Sequence, residues 1–365
     1  MAGPTPQPGI LGISPYVGGE SKVPGIDKPA RLASNENALG PSPKAAEAYA
    51  RAAADLHRYP DGGAAALRNA IGAHHNLDPA HIVCGTGSDE LFALLAQCYA
   101  GEGDEVLYSE HGFLAYPIVA RSAGATPVTA PETHLTTDID ALLAKVGPKT
   151  KMIFLANPNN PTGSYIPKTE IERLLDGIPD TVLLVLDAAY AEYVSHDDYS
   201  AGHEFVHDRP NVVVTHTFSK IYALGSARLG WAHCPPAIAD VLNRVRQPFN
   251  VNAPVMEAGI AALADTEHFK KSKSHNDRWR PWLAERLTKL GFKVHPSVCN
   301  FLLVSFKPHD AEQVRLFLKS RGVLIRQMGS YGLPDCLRIT VGTEDEIMQL
   351  VSGIEAFLFQ NEPHQ

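Results

Sequence analysis

The chain reads as an α/β protein: a mostly parallel central sheet in a large domain, followed by a smaller α+β domain. Three observations predict this. From about Ile82, short apolar runs bounded by turns alternate with amphipathic segments, the rhythm of βαβ units whose strands are covered on both faces. From about Ala253 that rhythm gives way to a long helical stretch. Beyond it, NFLLVSF, AEQVRLFLKS, GVLIRQ, CLRITVG and a closing helix make a second, α+β unit.

Taken in order, residues 1 to about 40 are rich in proline and glycine and read as an arm laid over a surface. KAAEAYARAAADLH, after the PSP at 41–43, is a strong helix former, and AAALRNAIGAHH is a second helix beyond the turn YPDGG. Strand and helix then alternate: HIVCGTG and SDELFALLAQCY, then DEVLYSE and LAYPIVARSAG. TPVTA and KTKMIFLANP precede the helix KTEIERLLDG, and TVLLVLD and NVVVTHTFSK complete the series. The expected division is an arm at 1–40, a large domain at 41–248 and a small one at 249–365.

Composition narrows the function. With 32 Lys and Arg against 40 Asp and Glu, the formal charge is −8, and no dense basic run argues for a nucleic-acid partner. An anionic small molecule stays open, because a local arginine cluster can oppose the global field. The five cysteines make no CxxC pair and no zinc spacing, so no metal site is expected and buried, reduced thiols are. No signal peptide is expected at the start, and the longest strongly apolar run, TVLLVLDAAYA, is too short to span a membrane. A cytoplasmic protein is the expectation.

Parallel sheets present their sites at the carboxyl ends of strands, and four chemical-looking stretches fall there. In HTFSKIYALGSARLGW, Lys220 leaves a strand and Arg228 follows across a Gly/Ala loop. A desolvated lysine among cations is a nucleophilic amine, and an arginine can grip a phosphate with two hydrogen bonds. Thr217 and Ser219 add hydroxyls; a lysine merely snorkelling to the surface is the plainer alternative. In VCGTGSDELFALL, glycines lead into a helix whose N-terminus favours an anion, with Ser88 or Asp89 as the expected N-cap. NPNNPTG is a rigid turn able to aim the Asn160 amide into a cleft, or simply a turn. In VLLVLDAAYAEY, Asp187 ends a buried strand and needs a cation or a strong donor, unless it serves to cap a helix. Together these parts describe one ligand, with a phosphate for Ser88, Asp89, Thr217, Ser219 and Arg228, an aldehyde for Lys220, and a ring nitrogen for Asp187. That ligand is pyridoxal 5′-phosphate, whose protonated ring is an electron sink.

GTGSDE, NPNNPTG, DAAY, TFSK with Arg228, and CLRITVG occur in one order over most of the chain. In this the sequence resembles the fold-type I, class II aminotransferases, and within them the histidinol-phosphate aminotransferases. The resemblance implies Lys220 as the Schiff-base lysine and proton shuttle, Asp187 on the pyridine nitrogen, and Asn160 with Tyr190 on the 3-oxygen. It implies that Tyr59, in RYPDGG, reaches the cofactor phosphate of a neighbouring subunit, and hence a homodimer. Where the family has P-T-Y-x-M-Y, this chain reads EHGFLAY; Phe113 can stack on the cofactor but brings no hydroxyl. Arg338 and Arg326 are the implied clamp for the substrate's anion, Arg326 otherwise being a surface ion pair. Tyr16, Asn35 and Asn37 fit the family's substrate-closing arm, although Tyr16 can equally pack on the core. The implied reaction moves an amine between glutamate and imidazole acetol phosphate, giving 2-oxoglutarate and histidinol phosphate. Three alternatives use similar parts: a phenylalanine or tyrosine aminotransferase (alone or as a second specificity), a phosphothreonine decarboxylase, and an effector-sensing regulator. The last needs a DNA-binding domain for which the short arm leaves no room.

Overall fold

Every apolar run read above as a strand forms one. The computed structural model describes residues 3–361. β1 (Ala30–Leu32) lies in the arm, before α1 (Pro43–Ala52) and α2 (Ala65–His75). β2 (Ile82–Gly85), α3 (Ser88–Tyr99), β3 (Glu105–Ser109), α4 (Ala115–Ser122) and β4 (Thr126–Ala130) then alternate. A hairpin of β5 (Glu132–Thr133) and β6 (Thr136–Thr137) leads to α5 (Ile139–Lys145), β7 (Thr150–Ala156), α6 (Lys168–Gly177) and β8 (Leu183–Asp187). α7 (His203–Asp208), β9 (Val212–Thr217), β10 (Gly230–His233) and α8 (Pro236–Val245) follow. The rest is α9 (Ala253–Ala264), α10 (Thr266–Lys289), β11 (Lys293–Val294), β12 (Phe301–Ser305), α11 (Ala311–Ser320), β13 (Val323–Gln327), β14 (Cys336–Thr340) and α12 (Glu344–Gln360).

The large sheet has seven strands in the order β2-β10-β9-β8-β7-β3-β4. Its pairings are parallel except where β10 enters, antiparallel to both β2 and β9. Both faces are buried, which is why the strands read as unbroken apolar runs. Val185, Val213 and Phe154 pack under α3, α4 and α8, while Leu184, Leu186, Val212 and Val214 pack against α5, α6 and α7. The second sheet, β1-β13-β14-β12-β11, buries Leu302, Val304, Val323, Ile325 and Leu337 against α10, α11 and α12.

Three local expectations need correction, and the domain boundary invites a different proposal. Part of the arm is a strand, since β1 pairs in parallel with β13. The helix expected through residue 57 ends at Ala52 and continues only as a short 3-10 turn, Ala53–Asp55. The long helical stretch breaks at Asp265, whose carboxylate accepts from Ser42 Oγ (2.5 Å) and Lys44 Nζ (3.3 Å). Ser42 is the N-cap of α1, so this break is fastened to the start of a distant helix. Finally, α9 lies beyond the boundary expected at 249, yet Val255, Met256 and Ala258 pack with Leu67 and Ile71 of α2 and with Phe218 and Ile221 on the large-sheet side. We propose the division between the two bodies at Asp265 instead.

Leu67 is fully buried in this layer. Leu67→Ala is expected to cost about 2–5 kcal/mol, the range for truncating a packed leucine, read as a lowered midpoint in urea unfolding with the slope unchanged.

Candidate active site

A cleft of about 330 Å³ opens where the carboxyl ends of the large sheet's strands meet the arm and the second sheet. Lys220 lies just beyond β9, three residues after Thr217, and its amine is 3.5 Å from the Ser34 carbonyl and 5.6 Å from the centre of the Tyr190 ring. Burial, then the nearby Arg338 and Arg228 guanidiniums, lower its pKa to about 8, while Asp89 pulls the other way. That is the environment that makes a lysine amine available as a nucleophile or base.

Asp187, the last residue of β8, is buried and its pKa is pushed up to about 6 by that burial. Two donors oppose the shift: Tyr116 Oη donates to Oδ2 (2.7 Å) and the Ala189 amide to Oδ1 (3.2 Å). Tyr116, three residues after Phe113 on α4, stacks on Phe154 at 4.5 Å. The only hint of it in the sequence is an aromatic placed one helical turn after another.

At the other end of the cleft the first residues of α3 face Arg228. Gly87, not Ser88 or Asp89, is the residue before the first turn, at φ 85° and ψ 167°, a conformation only glycine adopts readily. Ser88 and Asp89 therefore sit inside the first turn, where free N–H groups favour an anion. Arg228, itself at φ 55°, donates to Asp89 Oδ2 (3.0 Å), Gly225 O (3.0 Å) and Ser219 Oγ (3.3 Å). A Cβ on Gly87 would stand 2.5 Å from the Arg228 Nη2, and one on Gly230 would stand 2.5 Å from Gly87 C and Ser88 N. The two glycines thus let β10 and the loop before α3 close on each other, a role the sequence hides.

The third wall comes from the second sheet. Arg326 on β13 and Arg338 on β14 are directly paired across the ladder, where two like charges repel. Buried Arg338 donates to Asn160 Oδ1 and to Ala33 O (2.9 Å), and its Nε has no partner among the described residues. Arg326 donates to Val17 O at 2.6 Å. Asn35, at φ 55°, donates from its side chain to Tyr190 Oη (2.8 Å) and is held in turn by Thr340.

Of the residues singled out in the sequence, Tyr16, Asn35, Ser88, Asp89, Phe113, Asn160, Asp187, Tyr190, Thr217, Ser219, Lys220, Arg228, Arg326 and Arg338 line this one cleft. Two do not. Asn37 donates to Ile221 O (2.7 Å), tying the arm to the segment after Lys220. Tyr59 is 84% exposed and stacks on Phe249 at 4.8 Å, away from its own chain's cleft. Residues the sequence did not single out, Gly18, Ser34 and Pro158 among them, complete the lining. No cluster of His, Cys, Asp or Glu suited to a metal occurs among the described residues.

A buried carboxylate, a depressed lysine and an anion-ready helix start around one cavity are the parts of a pyridoxal-phosphate site, and the family model for class I and II aminotransferases matches residues 27–354. The chain belongs to that family. It is 58% identical to the histidinol-phosphate aminotransferase of Paramagnetospirillum magneticum, over 98% of this chain and 99% of that protein. The histidinol-phosphate aminotransferase of Rhodospirillum centenum is 57% identical over 98% of this chain and 99% of its own length. Among solved structures, the histidinol-phosphate aminotransferase of Sinorhizobium meliloti in complex with pyridoxal 5′-phosphate superposes with a TM-score of 0.89, at 29% identity, covering 98% of this chain and 99% of that one.

Asp187 yields a test of sign. Its folded pKa, about 6, lies above the ordinary 3.8. The protonated form is favoured in the fold, so that stability is fully present below about pH 4 and is lost as pH rises through 6. Cofactor-free Asp187→Asn should therefore be the more stable protein above pH 6, by roughly 2–3 kcal/mol, with the difference shrinking towards pH 4 in urea titrations. Gly230→Ala should fold but capture pyridoxal phosphate at least about tenfold more weakly, an energy near 1.4 kcal/mol, measured by equilibrium dialysis.

Proposed function

We propose that this chain is a pyridoxal-phosphate-dependent aminotransferase that exchanges an amine between glutamate and imidazole acetol phosphate, giving 2-oxoglutarate and histidinol phosphate, in histidine synthesis. The observation that carries the substrate reading is the arginine pair. Arg326 and Arg338 are held side by side at the wall opposite Lys220, and a phosphate dianion is the ligand that relieves their repulsion. The near full-length identity to histidinol-phosphate aminotransferases supports the same choice.

The residues fit the cofactor. Asp187 would hold the protonated ring nitrogen, and the first turn of α3 (Ser88, Asp89), with Thr217, Ser219 and Arg228, would hold the phosphate. Asn160 and Tyr190 would reach the 3-oxygen, with Asn35 fixing the Tyr190 hydroxyl, and Phe113 would lie against the ring. When bound, the cofactor supplies an electron-withdrawing ring that stabilises negative charge at the substrate carbon. Lys220, its amine free at neutral pH more readily than an ordinary lysine's, removes the proton from the substrate's α-carbon. Arg338 orients either a carboxylate or the phosphate, which lets glutamate and histidinol phosphate use one site in turn. Tyr16 closes the cleft from the arm side and reduces the access of water.

A homodimer belongs to the same proposal. Tyr59 and Phe249 form a stacked, exposed aromatic pair on the face away from their own cleft, and a second copy would use that Tyr59 to reach this chain's cofactor phosphate. No helix among the described residues is long and apolar enough to cross a membrane. Of the five free cysteines only Cys98 is not buried, a pattern that fits the reducing interior of a cell.

The deciding assay compares single-turnover amine transfer from L-histidinol phosphate and from L-phenylalanine. Histidinol phosphate should react at concentrations at least about tenfold lower; an equal response to phenylalanine would make the enzyme an aromatic aminotransferase. Arg326→Gln should raise the KM for histidinol phosphate at least about tenfold, removing one charge-assisted contact, while changing the KM for phenylalanine little. Borohydride reduction of the holoenzyme and peptide mapping should place the cofactor on Lys220.

A further inference from the structure

On the far side of β9 from the cleft lies a chain of imidazoles that the reaction above does not use. Thr217 faces the cleft, so His216, its neighbour in the strand, faces the opposite side of the sheet. There its Nδ1 is 3.1 Å from Glu192 Oε1 and its Nε2 is 3.0 Å from His203 Nε2. His203 Nδ1 is in turn 3.2 Å from His233 Nδ1. Trp231 stacks on both His216 (4.5 Å) and His203 (5.6 Å), within 6° of parallel, and fixes the planes of the two rings.

We propose that Glu192, His216, His203 and His233 form a proton relay that takes up one proton at its surface end and places the charge at His216, behind the strand end that carries Asp187. This rests on the reading of Asp187 as the partner of the cofactor's ring nitrogen.

Hydrogen-bond accounting gives the neutral chain a single solution. An ionised carboxylate only accepts, so His216 carries its hydrogen on Nδ1. Its Nε2 then accepts, so His203 carries hydrogen on Nε2 and His233 on Nδ1. One lone pair is left over at each end: Glu192 Oε2 and His233 Nε2 are the two buried atoms of the chain without a partner among the described residues. A proton arriving at His233 Nε2 releases the one on Nδ1 to His203 Nδ1, and His203 passes its Nε2 proton to His216 Nε2. Both imidazole–imidazole hydrogen bonds are kept with their directions reversed, while His216 Nδ1 goes on donating to Glu192 Oε1. One proton has entered, and one positive charge rests on His216, 3.1 Å from Glu192.

The surroundings favour that resting place. His207, exposed on α7, and His81, ahead of β2, stand 5.6 and 6.2 Å from the His233 ring and provide the surface end. On α2, His75 lies 5.5 Å from His216, and His74 meets the Tyr222 hydroxyl. Burial, and then the neighbouring imidazoles, push His233 down to about 4, His75 to about 2 and His203 further still. These rings resist charge; only His216 meets a carboxylate. From the other face of the sheet, a charge on His216 opposes the upward shift that burial imposes on Asp187.

The test is cofactor capture by the cofactor-free protein from pH 5 to 8.5, in wild type, His203→Gln and Glu192→Gln, with histidine tautomers read in parallel by ¹⁵N NMR of wild type. Breaking the relay should move the acid-side midpoint of capture up by about half a pH unit or more, with affinity at pH 8 within about twofold of wild type. Hydrogen on Nδ1 of His216 and on Nε2 of His203 at pH 8 is the expected pattern. Unchanged midpoints in both variants, or the opposite tautomer on either ring, overturn the relay. If a variant does not fold, the wild-type tautomers alone decide. Absence of capture by wild type at every pH would instead overturn the cofactor reading, and the tautomers would still judge the relay.

Discussion

Burying Asp187 at the carboxyl end of β8 is the constraint around which the site is arranged. A carboxylate there is expensive, and among the described residues the fold answers with two donors, the Tyr116 hydroxyl and the Ala189 amide. They leave the group poised for a cation that the cleft must supply. The cost is visible in the upward shift of its pKa, and the same burial makes its charge effective once a partner arrives. Lys220 shows the converse case: its charged form is the disfavoured one, by burial and by two arginines. An anion kept where it is costly and a cation depleted where it is costly define the chemistry of the cleft.

The two sheets contribute unequally. The large sheet presents its residues from strand ends and the loops beyond them, which fixes them to a rigid frame. The second sheet contributes Arg326 and Arg338 from within strands, and Arg338 crosses to Asn160 of the large body. Asn35, in the arm, spans the same gap to Tyr190. The two bodies and the arm are therefore tied to one another by side chains across the cleft.

Much of this was legible in the sequence because function is concentrated at strand ends, and an Asp or Lys closing an apolar run is conspicuous. The strands themselves were legible because a sheet buried on both faces leaves unbroken apolar runs. What escaped depends on partners distant in the chain. The antiparallel β10, only four residues long, carries no signal of its direction. The pairing of β1 with β13 joins residues almost three hundred positions apart. Gly87 replaced the expected cap because the close approach of Arg228 leaves no space for a side chain, a fact set by tertiary structure. Asn37 sits in a motif whose residue types were informative, yet the direction of its side chain, toward Ile221 O, was not. Sixteen histidines were countable, but the alignment of three of them behind β9 needs two strands, a helix and the turn after β8 to come together.

Glu20 fastens the arm to the outer helix of the second body. Its carboxylate bridges Arg315 (2.8 Å) and Lys319 (2.5 Å) on α11, and three residues earlier Val17's carbonyl holds Arg326. The segment bearing Tyr16 is consequently fastened to the body that carries Arg326 and Arg338, while the turn before it, Ile10–Gly12, lies against α4 of the large body. Removing Arg315 or Lys319 from α11 would free Glu20 and slacken the tether that Val17 makes to Arg326, so a change on the outer surface of one body would be felt at the mouth of the cleft.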